Sequence, residues 1–237
     1  LPMLKIFPKI RQLLEQVNYI DNHVDKVIDT RLDFYNNKHN TSMNDILHTL
    51  IMDAQPREAI KHHIRTILSA GHDTTAYFGC YMSYLLANNQ HVQNKVKEEI
   101  NSIHEITSDN INQLKYCKMV IQETLRLYSI IPFVNRVTTQ DYHWEHEGKP
   151  KIIPKNTLIL IALGIMNRSE YNWENPNEFI PERFRNINGH CSAKQGYLPF
   201  GYGSRTCIGN NIAMTEGLVI LFSLMKKYRF YPDYSFQ

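Results

Sequence analysis

The stretch FGYGSRTCIG, residues 200–209, sets one cysteine among glycines and a single arginine. The apolar run that follows predicts a helix starting just after Cys207 and reaching about Lys227. A sulfur at that end of a helix faces unpaired backbone N–H groups and the positive end of the dipole, and both favour a thiolate. Gly201, Gly203 and Gly209 put no Cβ in the way of a flat group or a second backbone. Arg205 adds positive charge two residues from the sulfur. An anionic sulfur against a planar, anionic partner uses all of these features. The competing readings are an inert core cysteine and a phosphate-cradling loop, although the glycine spacing matches neither phosphate-loop pattern.

Two further groups of residues could carry chemistry. AGHDTTA, residues 70–76, interrupts a helical pattern with Gly71, Asp73, Thr74 and Thr75. Gly71 thins the helix there, and a Thr74 hydroxyl can bond back to a carbonyl one turn earlier and open the ladder. An acid and an alcohol on such a groove could relay protons. A kinked core helix without function is the plain alternative. In ETLR, residues 123–126, Glu123 and Arg126 stand three apart and so share a helical face. Alone they read as a solvated pair worth about 0.3–0.5 kcal/mol.

These residues need a framework, and the periodicity supplies one. An amphipathic helix is predicted over 9–35, through Ile10, Leu13, Leu14, Val17, Ile20, Val24, Val27 and Ile28. Polar NNKHNTS at 36–42 reads as a loop, followed by a short helix over 43–52. Pro56 suits the first turn of a long helix whose apolar face runs from Ile60 to Leu85. Helices follow at about 91–103 and 114–128, and Pro132 stops the second. From 133 to 163, β-branched and aromatic residues around Gly148 and Pro154 predict short strands with a hairpin. NWENPNEFIPERF reads as a loop with little regular structure.

The composition, 43% hydrophobic and 21% charged with a formal net charge of +3, suits an ordinary globular chain and argues against a nucleic-acid partner. Cys80, Cys117, Cys191 and Cys207 form no CxxC pair, which weighs against a disulfide framework or a structural zinc site. His62 and His63 are adjacent and so point to different sides of a helix, and HExxH is absent. The apolar runs at 158–166 and 218–225 are too short to span a membrane.

Taken together, the motifs resemble the C-terminal half of a cytochrome P450, a heme-thiolate monooxygenase. Phe200, Gly203, Arg205, Cys207 and Gly209 match the family's cysteine loop, FxxGxRxCxG. Glu123 and Arg126 match its ExxR, PERF at 181–184 supplies Arg183, and AGHDTT matches its oxygen-binding helix. The four motifs occur in family order over about residues 56–227. More weakly, LPMLKIFPKIRQLL is similar to the microsomal subgroup of steroid 17α-hydroxylases and drug-oxidising enzymes.

The resemblance implies a mainly α fold with small β-sheets. Residues 1–237 would form part of one P450 domain lacking its N-terminal part, with no linker dividing it. It implies heme b, with Cys207 as axial ligand, Arg205 and Arg136 on the propionates, and Phe200 beside the sulfur. Glu123, Arg126 and Arg183 would form a buried structural triad. Thr74 and Asp73 would deliver protons to dioxygen, with Gly71 giving room for dioxygen and substrate. Ile131, Pro132 and Phe133 would line the pocket or simply pack in the core. The implied partners are a lipophilic substrate, steroid- or xenobiotic-like, O2, and an NADPH-dependent flavoprotein reductase. The implied place is the cytosolic face of the endoplasmic reticulum membrane, through an N-terminal anchor outside this chain. The family's WxxxR is missing, since neither Trp144 nor Trp173 has that arginine. Two other readings stay open: a heme-thiolate isomerase or dehydratase that does not use O2, and an inactive fragment. A partial domain is expected to expose apolar surface.

Overall fold

The structure, a computed structural model, describes residues 8–36, 45–186 and 196–235. The leading LPMLKIF, all but Asn36 of the polar loop expected at 36–42, residues 43–44 of the expected short helix and Cys191 lie outside the described residues, and Asn36 itself ends a helix. Helices dominate, as expected. Two compact units divide between residues 73 and 74.

In the first unit, α1 (Pro8–Asn36), α2 (Ile46–Met52) and the start of α3 (Arg57–Asn88) enclose a small core. Val24 and Ile28 of α1, Leu47 of α2 and Ile60 of α3 are its buried members. Although the apolar stripe of α1 has eight members, only Val24 and Ile28 are buried. Asp45 caps α2, its carboxylate accepting from the His48 N–H at 2.8 Å. Pro56 lies one residue before α3 instead of inside its first turn. Its carbonyl accepts the first helical bond, from the Ile60 N–H at 3.0 Å.

α3 is helical from Arg57 through Asn88, the long helix expected over this stretch, and it continues through AGHDTT. Gly71 and the two threonines cost a few tenths to about 1 kcal/mol each, too little to interrupt a helix of nearly nine turns with ladder bonds on both sides.

The second unit packs the rest of α3 with α4 (Gln90–Asn101), α5 (Lys115–Leu127) and α7 (Asn210–Lys227). Phe78, Met82, Val96, Ile100, Ile121, Leu218 and Leu221 belong to its core. Gly217 lets α7 approach closely: a Cβ there would sit 3.0 Å from Phe78 and 3.3 Å from Ile121. Glu99 of α4 caps α5 from outside, accepting from the N–H groups of Tyr116 at 2.7 Å and Cys117 at 2.9 Å. At the other end Arg168 donates to the Leu127 carbonyl at 2.9 and 2.7 Å.

Strands appear where the β-branched residues predicted them. β1 (Val134–Val137) pairs antiparallel with β4 (Leu158–Ile161), Val134 opposite Ile161. Between them lies a second pair, β2 (Tyr142–His146) with β3 (Lys149–Ile153), Tyr142 opposite Ile153. Its two-residue turn takes positive φ at both positions, Glu147 at 50° and Gly148 at 70°, the conformation that matches strand twist in a tight hairpin. The short helix α6 (Leu163–Met166) follows β4. PERF, read as loop, forms a 3-10 turn at Pro181–Phe184 packed on α5.

Candidate functional site

The best-built site in the second unit surrounds ETLR. Glu123 and Arg126 have no exposed side-chain surface, so the surface pair that local spacing suggests is instead a buried one. An arginine carries five N–H donors, and burial demands an acceptor for each. Arg126 meets that demand in full. Nε and Nη2 donate to the Glu123 carboxylate at 2.7 and 2.8 Å. Nη1 donates to the carbonyls of Asn167 and Pro176, both at 2.7 Å, and Nη2 also reaches that of Glu178 at 3.1 Å. Glu123 accepts in turn from Arg183 Nε at 3.0 Å and from the Ile180 N–H at 2.9 Å. The indole of Trp173 lies 5.2 Å from the Arg126 guanidinium and 5.8 Å from that of Arg183. The structure therefore brings together all three residues expected to form a triad. It adds one that sequence reasoning missed: Trp173 looked like loop because only its burial marks it.

The cysteine loop is a separate construction in the same unit. Gly201 and Gly203 adopt φ of +74° and +76°, values that side chains other than glycine avoid, and a 3-10 turn at Gly203–Arg205 reverses the chain. The Cys207 N–H donates to the Phe200 carbonyl at 2.8 Å and ties the ends of the loop together. Phe200 packs its ring against the main core, which fixes the loop from below. α7 begins at Asn210, three residues past the sulfur, as predicted. Cys207 and Arg205 are exposed, and Ile208 is 92% exposed. A Cβ added at Gly203 would meet nothing within 4 Å. At Gly209 it would make only ordinary contact with the Cys207 sulfur at 3.9 Å, so that glycine is not required by the chain's own packing.

Cys117 shows the opposite fate of a thiol. It is buried at the start of α5, and burial followed by the Glu99 carboxylate pushes its pKa far above the ordinary range. The inert core cysteine considered for Cys207 is thus realised at Cys117.

Arg136 lies exposed on β1 opposite Ile159, its guanidinium donating to the Asn135 carbonyl at 2.7 Å. On α3, Gly71 is exposed with open space where a Cβ would go. Asp73 is exposed and pairs with its neighbour His72 at 2.8 Å, a partner that sequence reasoning passed over. Thr74 is half-buried, and the next hydroxyl, Thr75, reaches Glu216 of α7 at 3.5 Å. Ile131 and Phe133 are about half exposed, at 51% and 48%, so they are not plain core residues in this structure.

The donor set tests which metal the loop suits. Among the described residues no group of three or more His, Cys, Asp or Glu side chains could hold a bare ion. A lone soft thiolate suits instead an iron whose other positions are filled by a macrocycle. The open space at Gly203, the apolar Ile208 and the exposed Arg205 fit a flat, partly apolar, anionic group. The residues present fit a heme. No helix among the described residues is long and apolar enough to cross a membrane.

Comparison with known proteins points the same way. The family profile Cytochrome P450 matches residues 1–235. Cytochrome P450 4d8 of Drosophila melanogaster is 29% identical over 97% of this chain and 50% of its own length. Cytochrome P450 714C2 of Oryza sativa subsp. japonica is 35% identical over 83% of this chain and 40% of its own. Cytochrome P450 3A2 of Rattus norvegicus is 31% identical over 96% of this chain and 45% of its own. The chain spans about half the length of the curated relatives it matches.

Proposed function

The chain belongs to the cytochrome P450 family, and we propose that the protein it comes from is a monooxygenase that inserts one atom of O2 into a lipophilic substrate, steroid- or xenobiotic-like. The family carries heme whose iron is ligated by a thiolate. The observation that carries the assignment here is an exposed lone cysteine, three residues before α7, in a loop whose glycines leave open space. Cys207 would hold the iron, and Arg205 and Arg136 would pair with the propionates through charge-assisted hydrogen bonds. Phe200 backs the sulfur, while Gly203 and Gly209 give clearance to the macrocycle. When bound, the heme would supply redox and O2-activating chemistry, with the Cys207 thiolate tuning the iron.

The remaining roles belong to side chains of this chain. Glu123, Arg126 and Arg183 hold the segment 167–183 on α5 and so set the framework behind the cysteine loop. Asp73 and Thr74 move protons from solvent, the carboxyl supplying and the hydroxyl passing them on. Gly71 leaves room beside them. Electrons come from NADPH through a flavoprotein reductase at the endoplasmic reticulum membrane. Residues 1–237 are part of one P450 domain. An isomerase would have no use for the acid–alcohol pair.

The pair provides the test. In the full-length protein, Thr74→Ala should keep heme but divert NADPH-derived electrons to peroxide. Unchanged coupling between NADPH consumed and product formed would remove the relay role.

A further inference from the structure

In the first unit, charge forms a ladder. Asp21, Asp25 and Asp29 of α1 stand four apart, and so do Arg57, Lys61 and Arg65 of α3. On a helix that spacing puts each set in one row. The rows meet with opposite sense. Asp29 pairs with Arg57 at 2.8 Å and Asp25 with Arg57 at 2.5 Å and Lys61 at 2.6 Å, while Asp21 faces Arg65 at 3.1 Å. At the far end of α1, Arg31 grips Asp45 through two bonds of 3.0 and 2.9 Å.

The apolar contact beneath is slight by comparison. Of the 29 residues of α1, only Val24 and Ile28 are buried, while Leu13, Tyr19, Ile20 and Val27 are exposed. The outer members of the ladder are open to mobile ions, since Arg57 keeps 41% of its side-chain surface exposed, Arg65 37% and Asp29 58%, while Lys61 at 16%, Asp21 at 23% and Asp25 at 27% are more covered. Exposed pairs are the ones that salt screens.

We propose that this ladder is a salt-releasable clasp, which holds α1 on α3 and lets it go as ionic strength rises. Arg65, its last rung, is six residues before Gly71, about 9 Å along the helix axis. Release uncovers the face of α3 from Arg57 to Arg65. The direction of the carboxyl shift agrees: bonds from Lys61 and then Arg57 hold the Asp25 pKa below its ordinary value. Glu58, beside Lys61 on α3, is the like-charged neighbour that must be counted with the acidic row. The clasp rests on the geometry of the two rows and does not depend on the heme assignment.

Hydrogen exchange on the 237-residue chain tests it, read by peptide in α1 and in α5. Raising salt from about 0.01 to about 1 M shortens the screening length from roughly 30 to roughly 3 Å. Protection of α1 should fall roughly tenfold or more, the sum expected of several exposed pairs, with α5 unchanged. Reversing the acidic row (Asp21→Lys, Asp25→Lys, Asp29→Lys) should abolish that protection at low salt. Reversing the basic row as well (Arg57→Glu, Lys61→Glu, Arg65→Glu) should restore both protection and salt dependence. The unaltered chain needs no variant to decide: salt-independent α1 protection overturns the clasp, as does failure of the double reversal to restore it.

Discussion

At the residue scale, Arg126 carries the most structure per atom. All five of its donors are used, two on Glu123 and three on carbonyls 41 to 52 residues later. That distance in sequence explains why ETLR in isolation reads as a surface pair. The acceptors that bury it are backbone atoms, and backbone atoms leave no signature in a sequence. Arg126→Ala should destabilise by about 3–5 kcal/mol, because it strands a buried carboxylate. Arg126→Lys should recover little, since an ammonium cannot reproduce the planar fork. Chemical denaturation of each variant checks this, and a lysine variant of native stability would contradict it. Thiol labelling of the unaltered chain separates the cysteines. Cys207 and Cys80 are exposed and should react with an alkylating reagent, whereas buried Cys117 should react only after unfolding. Mass spectrometry of the labelled peptides gives the order directly.

At the element scale, the boundaries of α4, α5 and α7 came within one to three residues of their expected positions, because apolar periodicity is a local signal. Other features came from neighbours and were not legible. The cap on α5 is a side chain of α4, so Glu99→Ala should cost about 1–2 kcal/mol although Glu99 lies outside the helix it caps. A thermal melt of that variant, compared with Glu98→Ala on the same helix, isolates the cap. The path of α3 through AGHDTT was legible in the apolar face from Ile60 to Leu85, and helix length outweighs the poor local propensity there. Gly71→Ala has room for its methyl and should stabilise the helix by about 0.5–1 kcal/mol in the chain without heme. In the heme-loaded protein the same methyl should weaken dioxygen or substrate binding if the proposed clearance is used. Gly217→Ala meets Phe78 and Ile121 instead and should destabilise by about 1–3 kcal/mol.

At the scale of the whole molecule, the mainly helical plan with small sheets was legible, but the division into two units was not. No composition shift marks it, because it falls inside a continuous helix. The units differ in what holds them. Among the described residues, the first buries four aliphatic residues in its core and relies on ion pairs, while the second buries twenty residues in one core. The first should therefore open earlier in acid. The Asp25 carboxyl is held below its ordinary pKa by Lys61 and Arg57, and that of Asp45 chiefly by Arg31. Carboxyls with depressed values contribute fully above the ordinary carboxylate pKa and lose that contribution as pH falls through the folded-state values. Circular dichroism or hydrogen exchange between about pH 5 and about pH 2 should show α1 and α2 loosening before α5.

The same scale holds the exposed apolar surface that was anticipated for a partial domain. Ile208 is 92% exposed, and Leu158, Leu160 and Ile165 each exceed 60%. Surface of that kind marks where another group or another part of a protein sits, and Ile208 adjoins the sulfur. The most direct test of the heme-thiolate assignment is the reduced, CO-bound spectrum of the full-length protein, with and without Cys207→Ala. The account predicts a Soret band at the thiolate-ligated position, and its loss in the variant. Bound heme without that band, or a band that survives removal of Cys207, would contradict it.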